Sequence, residues 1–106
     1  MLLLTLLLED DMYGYQLSQL IRERSKNLVF FPEGSLYPAL YKLCDENYIS
    51  SYEKQVGKRL RRIYYHIEEK GVEYQKYIVS EYQALYDGIY CILTYHEKKD
   101  EKIGKR

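Results

Sequence analysis

The chain has 106 residues, enough for one small domain and too few for two. Hydrophobic residues make up 46% and charged residues 30%, the balance of an ordinary globular domain. Its 16 basic and 16 acidic residues cancel, which excludes a uniformly basic surface of the kind that coats nucleic acid.

Charge is nonetheless unevenly placed. Residues 49 to 67 hold Lys54, Lys58, Arg59, Arg61 and Arg62 against the single acid Glu53, and the remainder of the chain carries the compensating acids. A local basic patch is what phosphate contact requires, whatever the total. The aromatic residues are 14 tyrosines, two phenylalanines and no tryptophan, a bias that suits wet interfaces and suits codon usage equally well. Cys44 and Cys91 stand far apart, outside any CxxC or Cys/His cluster, so no zinc site, disulfide framework or other cofactor is expected, and a reduced cytoplasmic setting is.

Met1 to Leu8 is an apolar run ended by Glu9, Asp10 and Asp11. It lacks a basic leader region and is too short to span a bilayer, so it predicts a buried helix of about two turns and no membrane segment. A second helix is expected from about Tyr13 to Arg24, capped by Asp11 or a neighbour, with Leu17, Leu20 and Ile21 inward. Ser25-Lys26-Asn27 breaks the pattern, and Leu28 to Phe31 reads as a short strand.

Pro32-Glu33-Gly34 turns the chain into a third helix. Ser35 is a good N-cap, and Pro38 would then fall in the first turn, where a missing N–H costs nothing. Leu36, Leu40, Leu43 and Cys44 lie on one face, leaving Gly34, Pro38, Tyr41, Lys42 and Asp45 on the other. The helix start either favours an anion such as phosphate or is simply capped by Ser35, and the two readings are compatible.

Asn47 closes this helix, Tyr48 to Val56 and Leu60 to Ile67 read as the strands of a hairpin, and Gly57 supplies a turn position between them. In the returning strand Tyr64 and His66 face one way, and Ile63, Tyr65 and Ile67 the other. From about Glu69 to His96 one long helix is predicted, with Gly71 near its start and Gly88 marking a bend or close crossing. Ile78, Tyr82, Leu85, Ile89, Ile92 and His96 form a heptad-like stripe that Val79, Tyr86 and Leu93 widen. So broad an apolar face calls for a second copy of the chain. The charged tail, residues 97 to 106, is expected to be disordered. Three helices followed by a basic hairpin is the order of a winged helix: mainly α, with a small β-hairpin and a long C-terminal helix.

Four short stretches then carry a resemblance. Met12-Tyr13-Gly14-Tyr15-Gln16-Leu17, Glu33-Gly34-Ser35-Leu36-Tyr37-Pro38-Ala39-Leu40, Arg61-Arg62-Ile63-Tyr64-Tyr65 and Glu69-Lys70-Gly71, in this order, resemble the PadR family of bacterial transcriptional regulators. The resemblance implies a winged helix-turn-helix domain over residues 1–68, a dimerisation helix over 69–96, and a homodimer that represses a pseudo-palindromic double-stranded DNA operator. In some members a small aromatic or drug-like effector releases it. Ser35, Tyr37, Pro38 and Lys42 fall in the family's recognition helix, with Tyr41 on the same face, and Lys58, Arg59, Arg61 and Arg62 fall in its wing. Ile78, Tyr82, Leu85, Ile89, Ile92 and Leu93 are the implied dimer seam. This chain departs from the family pattern at Leu60, where a glycine often stands, at Glu68, where a threonine commonly caps the last helix, and in its short first helix. Drug-binding relatives use a tryptophan at the dimer centre, so a pocket here would have to use Tyr82, Tyr86 or Tyr90.

Two other classes compete. An enzyme is not expected: His66 and His96 lack evident partners, and no Gly-rich phosphate loop, HExxH or Ser/His/Asp set occurs. A winged helix that binds protein instead of DNA would suit the neutral total charge and the tyrosine surface.

Overall fold

The computed structural model describes the backbone of residues 1–103 and the side chains of residues 1–96. Its elements are α1 (Leu2–Leu7), β1 (Met12–Tyr13), α2 (Gly14–Arg24), α3 (Glu33–Asp45), β2 (Ile49–Gln55), β3 (Arg61–Ile67) and α4 (Glu69–Ile103). The chain divides into two units, Met1–Gln75 and Lys76 onward.

In the first unit, leucines make most of the core. Leu3, Leu4, Leu6 and Leu7 of α1 are buried with Leu17 and Ile21 of α2, Leu36 and Leu40 of α3, and Met12, Ile49 and Tyr65 of the sheet. A six-residue helix cannot persist alone, and α1 stands because four of its side chains are packed. Two polar ties lie beside it: Arg24 pairs with Glu9, and the buried Gln75 amide donates to Thr5 Oγ1 at 3.1 Å.

The sheet is antiparallel in the order β1-β3-β2. Its third strand is Met12–Tyr13, paired with Tyr65 and Tyr64, and not the Leu28–Phe31 segment expected from composition. That segment finds no strand to pair with, because β1 takes the free edge of β3. Leu28 and Phe30 are exposed instead, and Ser25 Oγ bonds the Val29 N–H at 2.9 Å to hold the loop. The start of α2 is also corrected: Tyr13 occupies the N-cap with no side-chain cap, and Asp11 turns elsewhere.

α3 begins two residues earlier than Ser35, with Pro32 at the N-cap, so Ser35 is not the cap and Pro38 lies in the second turn. A proline there loses the bond to the carbonyl four residues back and crowds it. That residue is Gly34, an exposed position with open space where a Cβ would be. The far end follows the Schellman pattern: Asn47 at φ 64, Asn47 N–H to Cys44 O at 3.0 Å and Tyr48 N–H to Leu43 O at 3.0 Å. α2 ends in the same way through Lys26 and Asn27.

Tyr48 also receives the start of α4. Its carbonyl accepts the Glu68 N–H at 3.0 Å, its ring stacks on Tyr74 at 4.2 Å, and Lys70 Nζ reaches the Glu46 carbonyl at 2.9 Å. Glu68 is no N-terminal cap in the manner of threonine; its carboxylate accepts the Ser50 hydroxyl at 2.6 Å.

In the second unit α4 continues through Gly88, where a Cβ would meet nothing within 4 Å, and the helix runs on to Ile103. The side chains of the charged tail from residue 97, and all of residues 104–106, lie outside the described residues, and with them the expectation of a disordered tail.

Candidate nucleic-acid interface

The outward face of α3 carries Ser35, Pro38, Tyr41 and Lys42, all exposed. Tyr37 is set differently: it is half-buried, and its ring lies over Gly14, where a Cβ would stand 2.7 Å from the Tyr37 hydroxyl oxygen. Only a glycine at the first position of α2 lets that ring lie down.

Alternation along β3 splits the two wing arginines. Side chains of successive strand residues point to opposite faces, so Arg61 and Arg62 separate although they are neighbours in the chain. Arg61 reaches Glu53 of β2 at 3.7 Å, a half-exposed pair that binds part of its charge locally. The Arg62 guanidinium lies 4.3 Å from the Tyr13 ring centroid and has no carboxylate partner among the described residues. On its face Lys54 stands opposite it and lies 5.2 Å from the Tyr64 ring, with Tyr13, Tyr64 and Tyr52 in a row across the three strands.

The hairpin tip is shaped without a left-handed residue. Among the described residues no glycine has a positive φ, so Gly57 does not supply the special turn position expected of it. Instead Val56 N–H bonds Leu60 O at 2.9 Å, and the Gln55 side-chain amide donates to the carbonyls of Gly57 and Lys58 at 2.8 and 3.4 Å. Lys58 and Arg59 project exposed from this tip with no acid paired to either among the described residues.

His66 does have a partner, contrary to expectation. Asp11 accepts from His66 Nδ1 at 2.7 Å and from the Tyr52 hydroxyl at 2.7 Å, which ties the approach to β1 to both hairpin strands. Partial burial works against the Asp11 charge, but the hydrogen bonds from Tyr52 and His66 outweigh it and hold the carboxyl below its ordinary value. The same contact raises His66, and the bond to Asp11 pushes the Tyr52 hydroxyl up to about 12. The cluster is a staple: the tyrosine stays protonated, and the imidazole is half-exposed on the outer face of the sheet.

The seam residues on α4 lie open in the single chain. Ile78 is half-buried, while Tyr82, Leu85, Ile89, Ile92 and Leu93 are between 45% and 73% exposed. Tyr82, Tyr86 and Tyr90 stand in a row with ring centroids 6.4 Å apart at each step. Among the described residues no group of His, Cys, Asp and Glu is placed to hold a metal, and no helix is long and apolar enough to cross a membrane.

Residues that the sequence did not mark also gather here. Tyr13, Tyr15 and Tyr65 join Tyr37, Tyr41 and Arg62 around one cleft between the start of α2, α3 and β3. Tyr13 and Tyr15 were visible only as parts of a motif, with nothing to show that they meet an arginine half the chain away.

Solved structures share this fold. A transcriptional regulator from Clostridium thermocellum is 36% identical with a TM-score of 0.78, over 84% of this chain and 86% of that one. A PadR family transcription regulator from Clostridium difficile is 29% identical with a TM-score of 0.76, over 87% and 94%. PadR of Bacillus subtilis, in complex with operator DNA, matches in fold at 24% identity and a TM-score of 0.66, over 72% of this chain and 42% of that one. Residues 3–77 match the family model of the PadR-like transcriptional regulators, and with the fold and motifs in agreement, the chain belongs to that family.

Proposed function

We propose that the protein is a sequence-specific repressor that binds a pseudo-palindromic operator as a homodimer. The observation that carries the reading is the exposed face of α3 beside a hairpin tip whose Lys58 and Arg59 have no local acid to neutralise them. An α-helix with its side chains is about 10–12 Å across, and the major groove is about 12 Å wide, so α3 can enter with Tyr41 and Lys42 toward base edges or backbone. Lys58, Arg59 and Arg61 would then lie against phosphate and supply affinity with little sequence information. The open stripe of α4 supports the second copy, because a row of leucine, isoleucine and tyrosine left in water is a strong drive to associate. Two copies related by a two-fold axis would read half-sites about 34 Å apart. The reading includes release by a small aromatic effector, for which the row of Tyr82, Tyr86 and Tyr90 offers stacking faces.

The test is the salt dependence of DNA binding. Each neutralised phosphate contributes about −0.9 to the slope of log affinity against log salt, so replacing Lys58 and Arg59 by alanine should lower affinity on every duplex and flatten the slope by nearly two such steps. A wild-type chain that binds no duplex, and instead holds a protein partner with little salt dependence, would overturn the reading in favour of a protein-binding winged helix.

A further inference from the structure

A second cleft, of about 460 Å³, lies between the later half of α3 and the hairpin, lined by Tyr41, Cys44, Asp45, Ser51, Ile63 and Tyr65. We propose that it binds a small organic cation, an ammonium group on a flat apolar body. The Asp45 carboxylate and the Tyr65 hydroxyl oxygen would hold the ammonium, and Tyr41 and Ile63 would cover the body. This site is separate from the DNA-binding face and from the tyrosine row of α4, and it rests on neither reading.

The charge of the lining selects the ligand. It includes one acid and no base. Asp45 is the last residue of α3, where the carbonyl ends of the helix already make the potential negative, so a carboxylate there is disfavoured until a cation joins it. The chain supplies none. The ion pairs among the described residues are Arg24 with Glu9, Arg61 with Glu53 and His66 with Asp11, and Lys42, one turn back on α3, pairs with no acid. Glu53, the next acid on this face of β2, is engaged by Arg61. The cleft on the other side of Tyr65 has the opposite character, with Arg62 and no acid, so the two clefts sort ligands by sign.

Tyr65 supplies the second polar contact. It is only 2% exposed, and among the described residues its hydroxyl makes no hydrogen bond. No buried side-chain polar atom among them is both dry and unpaired, so this hydroxyl meets solvent at a cleft that it lines. Burial, and after it the neighbouring Tyr41 and Cys44, push its pKa up to about 12, so the phenol stays neutral and its oxygen can accept from an N–H. Cys44 is likewise kept a thiol, by burial first and the Asp45 charge second, so it adds polarizable surface and no further anion.

The rest of the lining suits an apolar body. Tyr41 and Ile63 are 58% and 48% exposed where they border the cleft. A flat ligand removes that surface from water, and a tyrosine face attracts its charged end. The volume falls within the range of about 300–1,000 Å³ usual for small-molecule sites.

The experiment titrates the full chain, followed by amide NMR at about pH 7, where an alkylamine is protonated, with 2-phenylethylammonium, 2-phenylethanol and phenylacetate. The ammonium should bind with a Kd of about 1 mM or tighter, a modest efficiency for a probe of this size, and shift the amides of Cys44, Ser51 and Ile63. The alcohol should bind roughly tenfold more weakly and phenylacetate more weakly still, because each lacks the charged hydrogen bond to Asp45. Asp45→Asn should lower the ammonium to the affinity of the alcohol and leave the alcohol unchanged, while Ile63→Ala should weaken both alike. Thermal melting of both variants close to wild type keeps the comparison to binding. Equal affinity for ammonium and alcohol, a preference for phenylacetate, or no shift at about 10 mM ammonium would each overturn the assignment. Shifts gathered at Tyr82, Tyr86 and Tyr90 and absent from Cys44, Ser51 and Ile63 would place the cation on α4 and overturn it as well. DNA affinity enters none of these outcomes, so the DNA-binding reading survives a failure here.

Discussion

A Cβ added to Gly14 would stand 2.7 Å from the hydroxyl oxygen of Tyr37 and 2.8 Å from its Cε1. Both obstructing atoms belong to the far end of a side chain that can swing outward, and Gly14 has no positive φ to forbid alanine. Gly14→Ala should therefore leave stability within about 1 kcal/mol of wild type, since helix propensity favours alanine by up to about that amount. The displaced Tyr37 ring should spoil the cleft and lower DNA affinity roughly tenfold. Urea midpoints and a DNA titration check the two halves separately; a large stability loss would mean that Tyr37 cannot yield.

The same substitution at Gly71 meets backbone. Its Cβ would stand 2.1 Å from the Tyr48 carbonyl oxygen, with Ile67 Cγ1 at 2.9 Å. Neither obstruction can move without displacing the junction of α3, the hairpin and α4. Gly71→Ala should cost about 3 kcal/mol, read as a lowered urea midpoint with an unchanged slope. A midpoint equal to wild type would show that the approach is looser than this geometry.

Stability should vary with pH through the Asp11 and His66 pair. His66 is raised above its ordinary 6.5 in the folded chain, so its contribution is complete below that value and is lost as pH rises through the raised value. Asp11 is held below its ordinary 3.8, so its contribution is present above that value and is lost as pH falls through the lowered one. The pair therefore acts most fully between these limits and weakens on the alkaline side of His66. Both groups are partly exposed, which limits the effect to about 0.5 kcal/mol. His66→Gln should remove the difference between urea midpoints taken at about pH 5 and about pH 9, apart from the background of other groups.

Ile89 lies near the middle of the α4 stripe and is 45% exposed in the single chain. In a two-fold pair, Ile89→Asp would place a carboxylate from each copy in the apolar seam, at a cost of about 3 kcal/mol or more. Dimer affinity should fall roughly 100-fold or further. Sedimentation velocity reads this directly, and an Ile89→Asp chain that sediments as a dimer would locate the seam elsewhere. Circular dichroism should remain that of a helical chain, because the substitution faces outward.

Legibility followed periodicity. α3, the hairpin and α4 each repeat a pattern over several residues, so their apolar positions, from Leu36 and Leu40 to Tyr65 and Ile67, could be read without knowing their neighbours. β1 could not be read in that way, because two residues have no period and Met12 and Tyr13 become a strand only by pairing with Tyr65 and Tyr64. Leu28 to Phe31 has strand composition but no edge to join. Proline suits a first turn and so points to a helix start at Ser35, whereas α3 begins at Glu33 and carries Pro38 in its second turn. His66 and Asp11, 55 positions apart, meet only through the sheet, as Arg62 meets Tyr13 and Tyr15. The charges of the site were therefore visible one by one, and their division of roles was not.

Tyr48 occupies a single peptide step between three elements. Its N–H closes α3 on Leu43, and its carbonyl receives Glu68 at the threshold of α4, with Gly71 pressed against the same oxygen. There is no slack at this point: the one residue Tyr48 bonds both the end of α3 and the threshold of α4. A displacement of the first turn of α4 must either break the Glu68 bond or carry the end of α3 with it, so these two helix ends move as one body or come apart together.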